Sequence, residues 1–173
     1  MKILILGGSA SGKSEYAENI AQSLNEKRYY VATMMPFGNE ALKRIEKHRN
    51  MRKSKGFETI EKYTDIEEIK IQKNSVLLLE CMGNIVANEI YRPDPKENIN
   101  EHILSGIDNL CKKCQDIVVV SNDVFSDGIE YPEETKKYME ILSDINRHLA
   151  SNFDVVAEVV CGIPLKIKGD LIW

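Results

Sequence analysis

The chain has 173 residues, 43% of them hydrophobic and 29% charged, and a formal net charge of −4 at pH 7. That length suits one α/β domain with a sizeable core, and the acidic balance argues against a duplex nucleic-acid binder, which carries a basic face. The first apolar run, Ile3–Leu6, stops at Gly7-Gly8, too short for a secretory h-region or a membrane span, so a cytoplasmic protein with reduced thiols is expected.

In chain order, Lys2–Leu6 is a continuous, partly β-branched apolar run and predicts a buried parallel strand. A Gly/Ser loop follows, then a helical pattern from Lys13 to about Asn25. Tyr29–Thr33 predicts a second strand, Met34–Asn39 a loop around Pro36 and Gly38, and Glu40–Lys53 a helix rich in Lys and Arg. Phe57–Glu61 predicts a short strand and Asp65–Ile71 a brief amphipathic helix. Ser75–Cys81 is the most apolar strand; Asn84–Tyr91 predicts a helix broken by Arg92-Pro93-Asp94-Pro95, and Glu97–Cys114 another. Ile117–Ser121 is a further buried strand. Pro132, followed by Glu133 and Glu134, suits a helix start, and that helix runs to about Asn152. Val155–Cys161 and Leu165–Lys168 are the last strands. Strands alternate with helices, so the expected fold is α/β, one domain over 1–173 with a mainly parallel sheet covered on both faces. Cys81 and Cys161 sit in apolar runs and read as small core residues, while Cys111 and Cys114 form a C-x-x-C without two further ligands nearby, as a structural zinc site would need.

Gly7-Gly8-Ser9-Ala10-Ser11-Gly12-Lys13-Ser14 matches the phosphate-loop pattern G-x-x-x-x-G-K-[ST] in full, and it lies between a buried strand and a helix as that motif requires. The glycines allow backbone angles that turn successive N–H groups inward around phosphate oxygens. The helix start adds a positive dipole end. Lys13 reaches for the outer phosphates, and the Ser14 hydroxyl suits Mg²⁺. The pattern specifies a nucleotide; the reaction must come from other residues.

Glu80 closes the run Val76–Leu79. A carboxylate there either holds Mg²⁺, directly or through water, or faces solvent. Asn122 and Asp123 follow Ile117–Ser121 in the same way; they line the same cleft, or Asp123 caps a turn. Arg44, His48 and Arg52 are spaced by four residues on the basic helix, which puts them on one stripe. Imidazole flanked by guanidiniums suits a histidine that attacks phosphorus. A solvated basic face with an ordinary surface histidine is the alternative.

Together these pieces resemble the bifunctional adenosylcobinamide kinase / adenosylcobinamide-phosphate guanylyltransferase family of cobalamin biosynthesis. The resemblance spans nearly the whole chain: the phosphate loop, Tyr30-Val31-Ala32-Thr33, Arg44-Ile45-Glu46-Lys47-His48-Arg49 with Arg52, Phe57 and Glu61, Leu78-Leu79-Glu80-Cys81, Ser121-Asn122-Asp123-Val124, Asn146, and Gly162-Ile163-Pro164-Leu165-Lys166. It implies a RecA-like P-loop NTPase fold, ATP and GTP as substrates with Mg²⁺, adenosylcobinamide and its phosphate as acceptors, and a homo-oligomer such as a trimer. It further implies that His48 carries GMP covalently, that Thr33 and Arg44 meet the nucleotide, and that Arg49, Asn50, Met51, Arg52, Glu61 and Glu80 lie in the guanine-nucleotide site. The chain departs from the family at Asp123-Val124-Phe125, where Glu-Val-Gly is usual, and at Lys136 and Lys137, where an arginine is usual. A simple small-molecule kinase that never charges His48, and a nucleotide-switched binding protein, remain the competing readings.

Overall fold

The structure is a computed structural model that describes residues 1–124 and 130–171, apart from the side chains of Ala41, Arg44, Lys47, His48 and Met51. Among the described residues, seven strands form one sheet in the order β3-β2-β4-β5-β1-β6-β7. They are β1 (Lys2–Leu6), β2 (Arg28–Ala32), β3 (Phe57–Glu61), β4 (Val76–Leu79), β5 (Asp116–Val120), β6 (Val155–Val160) and β7 (Ile163–Lys168). All neighbours run parallel except β6 and β7. The helices are α1 (Lys13–Leu24), α2 (Gly38–Arg52), α3 (Met82–Tyr91), α4 (Ile99–Lys113) and α5 (Glu133–Asn152).

The central strands read as unbroken apolar runs because both of their faces are covered. Alternate residues of β4 show this. Leu77 and Leu79 join a cluster with Ile85, Ile103, Leu110 and Ile145 of α3, α4 and α5. Val76 and Leu78 join Ala17, Ile20 and Ala21 of α1 on the opposite face. This is a P-loop NTPase architecture, and it delivers the carboxyl ends of β1, β4 and β5 to one edge, where ligands of open α/β sheets bind.

Two expected elements change. The helix expected at Asp65–Ile71 shrinks to a single 3₁₀ turn, Ile66–Glu68. Asp65 enters it in the left-handed region at φ 49°, and Lys113 of α4 donates to the carbonyls of Glu67 (2.5 Å) and Ile69 (3.1 Å), which a continuing helix would need for itself. The last strand starts at Ile163 and returns antiparallel to β6. Its loop is Cys161-Gly162, with φ of 51° and 80°, the all-positive pattern of a type I′ hairpin turn. Pro164 is accommodated because β7 is an edge.

Candidate functional site

The loop after β1 carries three unusual backbone angles: Gly7 at φ 154°, Ala10 at 56° and Gly12 at 93°. Gly12 is the N-cap of α1, and no side chain caps that helix start. Helix-start amides without a side-chain cap suit an anion. Lys13 folds back so that its ammonium donates to the Gly8 carbonyl at 2.9 Å. Partial burial lowers the Lys13 pKa from its ordinary value, and the charge of a Cys81 thiolate would oppose that shift. Gly8, Ser9 and Ala10 are exposed, while Ser11, Gly12, Lys13 and Ser14 are half-buried. The Ser11 hydroxyl is buried without a partner.

Strand order brings other residues to this loop. The Asp123 amide donates to the Gly7 carbonyl at 3.2 Å. The Asn122 side-chain amide points to the Cys81 sulfur at 3.5 Å. Asn146 and Ser121 pair beneath them, at 2.7 Å. A Cβ on Gly83 would lie 2.7 Å from the Tyr138 hydroxyl, so α3 and α5 approach closely here. Burial pushes the Cys81 thiol up and the Tyr138 phenol up to about 12; both groups are neutral near pH 7 and add no charge beside Lys13.

A second region lies at the ends of β2, β3 and β4. Thr33 is fully buried; its amide donates to Glu80 Oε2 at 2.9 Å. Its hydroxyl and carbonyl are engaged by Asn84 and Asn88 of α3, and Asn88 also donates to the Tyr63 carbonyl. A cavity opens above, lined by Glu80, Glu61, Tyr63, Met34, Arg49 and Arg52, and closed on one side by Leu42 and Ile45 of α2. Positions 42, 45, 49 and 52 share one helical face, so α2 presents a mixed apolar and cationic face to the cavity. Arg49 pairs with Glu61. Arg52 is 5% exposed, and its guanidinium carbon sits 3.5 Å from the Tyr30 ring centroid. Its Nε and Nη1 are buried with no acceptor. Burial, then the Glu80 carboxylate, raises the Tyr30 phenol, so the ring under Arg52 is neutral. A buried guanidinium with orphaned donors is costly unless something completes it.

Of the expected residues, Glu61, Glu80, Arg49 and Arg52 thus share one cavity, Thr33 lies directly behind Glu80, and Asn50 is exposed on α2. The backbone of α2 continues through Arg44, His48 and Met51, whose side chains lie outside the described residues. Cys81 beside Lys13, and Tyr63 and Met34 in the cavity, were not anticipated. Asn84 and Asn88 carry a signal: two asparagines four apart on a helix whose one other charged or amide side chain is Glu89, spaced to face one neighbour. Ser14 and Glu80 offer hydroxyl and carboxylate oxygens, the donor chemistry that suits Mg²⁺.

The family model described as cobinamide kinase / cobinamide phosphate guanyltransferase matches residues 3–167. The chain is similar to the bifunctional adenosylcobalamin biosynthesis protein CobU of Escherichia coli (strain K12), at 31% identity covering 97% of this chain and 100% of that protein. CobU of Salmonella typhimurium is 27% identical, with 97% and 100% covered. CobP of Pseudomonas aeruginosa is 26% identical, with 98% and 99% covered.

Proposed function

Because the chain belongs to the cobinamide kinase / cobinamide phosphate guanyltransferase family of transferases, we propose that it phosphorylates adenosylcobinamide and then transfers GMP from GTP to that phosphate through a guanylyl-histidine on His48. The observation that carries this reading is the presence of two regions suited to a nucleotide on one sheet edge. One is a complete phosphate loop; the other is a cavity with Arg49, Arg52, Glu61 and Glu80 at the foot of the helix that bears His48.

In the kinase step, the acceptor hydroxyl oxygen bonds to the γ-phosphorus of ATP or GTP. The bond to the β,γ-bridging oxygen breaks, the hydroxyl proton is lost and the diphosphate leaves. Loop amides and Lys13 stabilise charge on the transferring group. Ser14 and Glu80 are the residues that would hold Mg²⁺, which when bound neutralises phosphate charge. In the second reaction, a neutral ring nitrogen of His48 bonds to the α-phosphorus of GTP and pyrophosphate leaves. A phosphate oxygen of the acceptor then attacks the same phosphorus and releases the imidazole. The orphaned donors of Arg52 suit an anionic nucleotide.

The test uses GTP labelled at the α- or the γ-phosphate. The α-label should stay on denatured protein, resist mild base and leave in acid, because protonating the ring nitrogen makes imidazole a better leaving group. The γ-label should not appear there. His48→Asn should lose the α-label and guanylyl transfer while keeping the kinase step. An adduct on another side chain, or full guanylyl transfer with no adduct, removes His48 from this role.

A further inference from the structure

Neither reaction above uses Gly162-Ile163-Pro164-Leu165-Lys166, yet the turn that opens this segment rests on the phosphate loop. The Gly162 amide donates to the Ser11 carbonyl at 2.7 Å. A Cβ on Gly12 would lie 3.0 Å from Gly162 Cα, and a Cβ on Gly7 would lie 2.7 Å from the Val159 carbonyl oxygen. Two phosphate-loop glycines are therefore small partly because the β6–β7 hairpin fills the space a side chain would take. A Cβ on Gly162 itself would meet nothing within 4 Å. Glycine is needed there for its backbone angle, φ 80°, and not for room.

We propose that the β6–β7 turn is a positioning element of the phosphate loop, in which Gly162 sets the Ser11–Gly12 peptide plane for triphosphate binding. The peptide unit is planar and trans, so the Ser11 carbonyl and the Gly12 amide point in opposite directions. Holding that carbonyl on the hairpin aims the Gly12 N–H away from the hairpin, to the side where the phosphate loop receives its ligand. Cys161 contributes through the same turn: its φ of 51° is half of the type I′ geometry that presents the Gly162 amide. Cys161 already holds positive φ at a cost, and an L-residue other than Asn or Asp at position 162 would add a second strained position at φ 80°, which favours rotation out of this geometry and withdrawal of the donor.

The inference rests on the phosphate-loop reading, and the experiment separates the two. ATP binding by calorimetry, melting temperature and steady-state kinase kinetics are compared for Gly162→Ala, Gly162→Asn, Ile167→Gly and Lys13→Ala. Gly162→Ala should bind ATP about tenfold more weakly, the size of one misplaced hydrogen bond, and raise KM for ATP without changing KM for the acceptor. Gly162→Asn tolerates positive φ and keeps the amide, so it should return to within about twofold of wild type. Ile167→Gly loosens the far end of β7 and should lower the melting temperature with ATP affinity intact. If Gly162→Ala yields no folded protein, Cys161→Val, strained in the same turn, takes its place with the same expected loss. Wild-type ATP affinity in the turn variants, or an equal loss in Ile167→Gly, overturns the positioning role. Unchanged binding and turnover in Lys13→Ala would instead overturn the phosphate-loop reading itself.

Discussion

Helices α1 and α2 each carry several of the residues expected to meet nucleotide, and they are held in opposite ways. α1 buries Ala17, Ile20 and Ala21 in the core cluster it shares with the sheet, and its buried Glu18 pairs with Lys55, so its N-terminal amides are fixed by the core. Among the described residues of α2, only Arg52 is buried, and the helix is tied down near its C-terminal end by the Arg52–Tyr30 stack and the Arg49–Glu61 pair. The phosphate-loop end of the candidate site is therefore built from backbone and packing, the cavity end from charged side chains on a helix whose described residues bury only Arg52. Changes in the first should act on transition-state charge; changes in the second should act on nucleotide affinity, and those at exposed Arg49, unlike those at buried Arg52, should weaken as salt rises.

The largest effect is expected from Lys13→Ala. Its ammonium is within reach of the loop and already partly dehydrated, so its charge acts in a low-dielectric setting. We expect kinase kcat to fall by about 10²–10³-fold, the range seen when one preorganised stabilising donor is removed, with the melting temperature nearly unchanged. Turnover near wild type at saturating Mg²⁺ and triphosphate would break the comparison on its phosphate-loop side.

A test of the other side is Arg52→Met, which keeps volume and removes the buried charge. The orphaned Nε and Nη1 cost stability in the empty protein, and the Tyr30 stack returns some of it. We expect a melting temperature equal to or above wild type, together with an approximately tenfold loss in kcat/KM for guanylyl transfer, about the value of one charge-assisted hydrogen bond. A large fall in melting temperature with guanylyl transfer intact would make Arg52 a structural residue.

The sequence announces the phosphate loop far more clearly than the cavity. The phosphate loop is contiguous, and its chemistry is local, so eight consecutive residues declare it. The cavity draws Ala32, Glu61, Tyr63 and Glu80 from three strand ends, and their meeting depends on the order β3-β2-β4, which alternation of strands and helices does not encode. The place of Cys81 beside Lys13 depends likewise on β5 alone separating β4 from β1. The β6–β7 hairpin is not legible as a hairpin because Cys161-Gly162 lacks the Asn or Asp that usually marks a type I′ turn. At Asp65–Ile71 the local pattern favoured a helix, but tertiary contacts won: Gly106 lets Ile66 approach α4, where a Cβ would lie 2.7 Å from Ile66 Cγ1, and Lys113 takes the carbonyls.

The smallest expected effect belongs to Glu80, which lies where the two regions meet. Its carboxylate accepts from Thr33 and lines the cavity with Arg49 and Arg52, while the next residue, Cys81, is within electrostatic reach of Lys13. Glu80→Gln keeps size and hydrogen-bonding shape and removes one negative charge. The neutral amide still accepts from the Thr33 amide, so the fold should hold. If Glu80 serves Mg²⁺ beside Ser14, the concentration of Mg²⁺ for half-maximal kinase activity should rise by about threefold to tenfold, because an amide oxygen is a weaker ligand for a hard cation. KM for GTP at saturating Mg²⁺ should then stay constant. A wild-type Mg²⁺ titration curve with a raised KM for GTP would assign Glu80 to the cavity side instead. The phosphate region would then supply its own metal oxygen from Ser14 alone, and the boundary between the two regions would fall at Cys81.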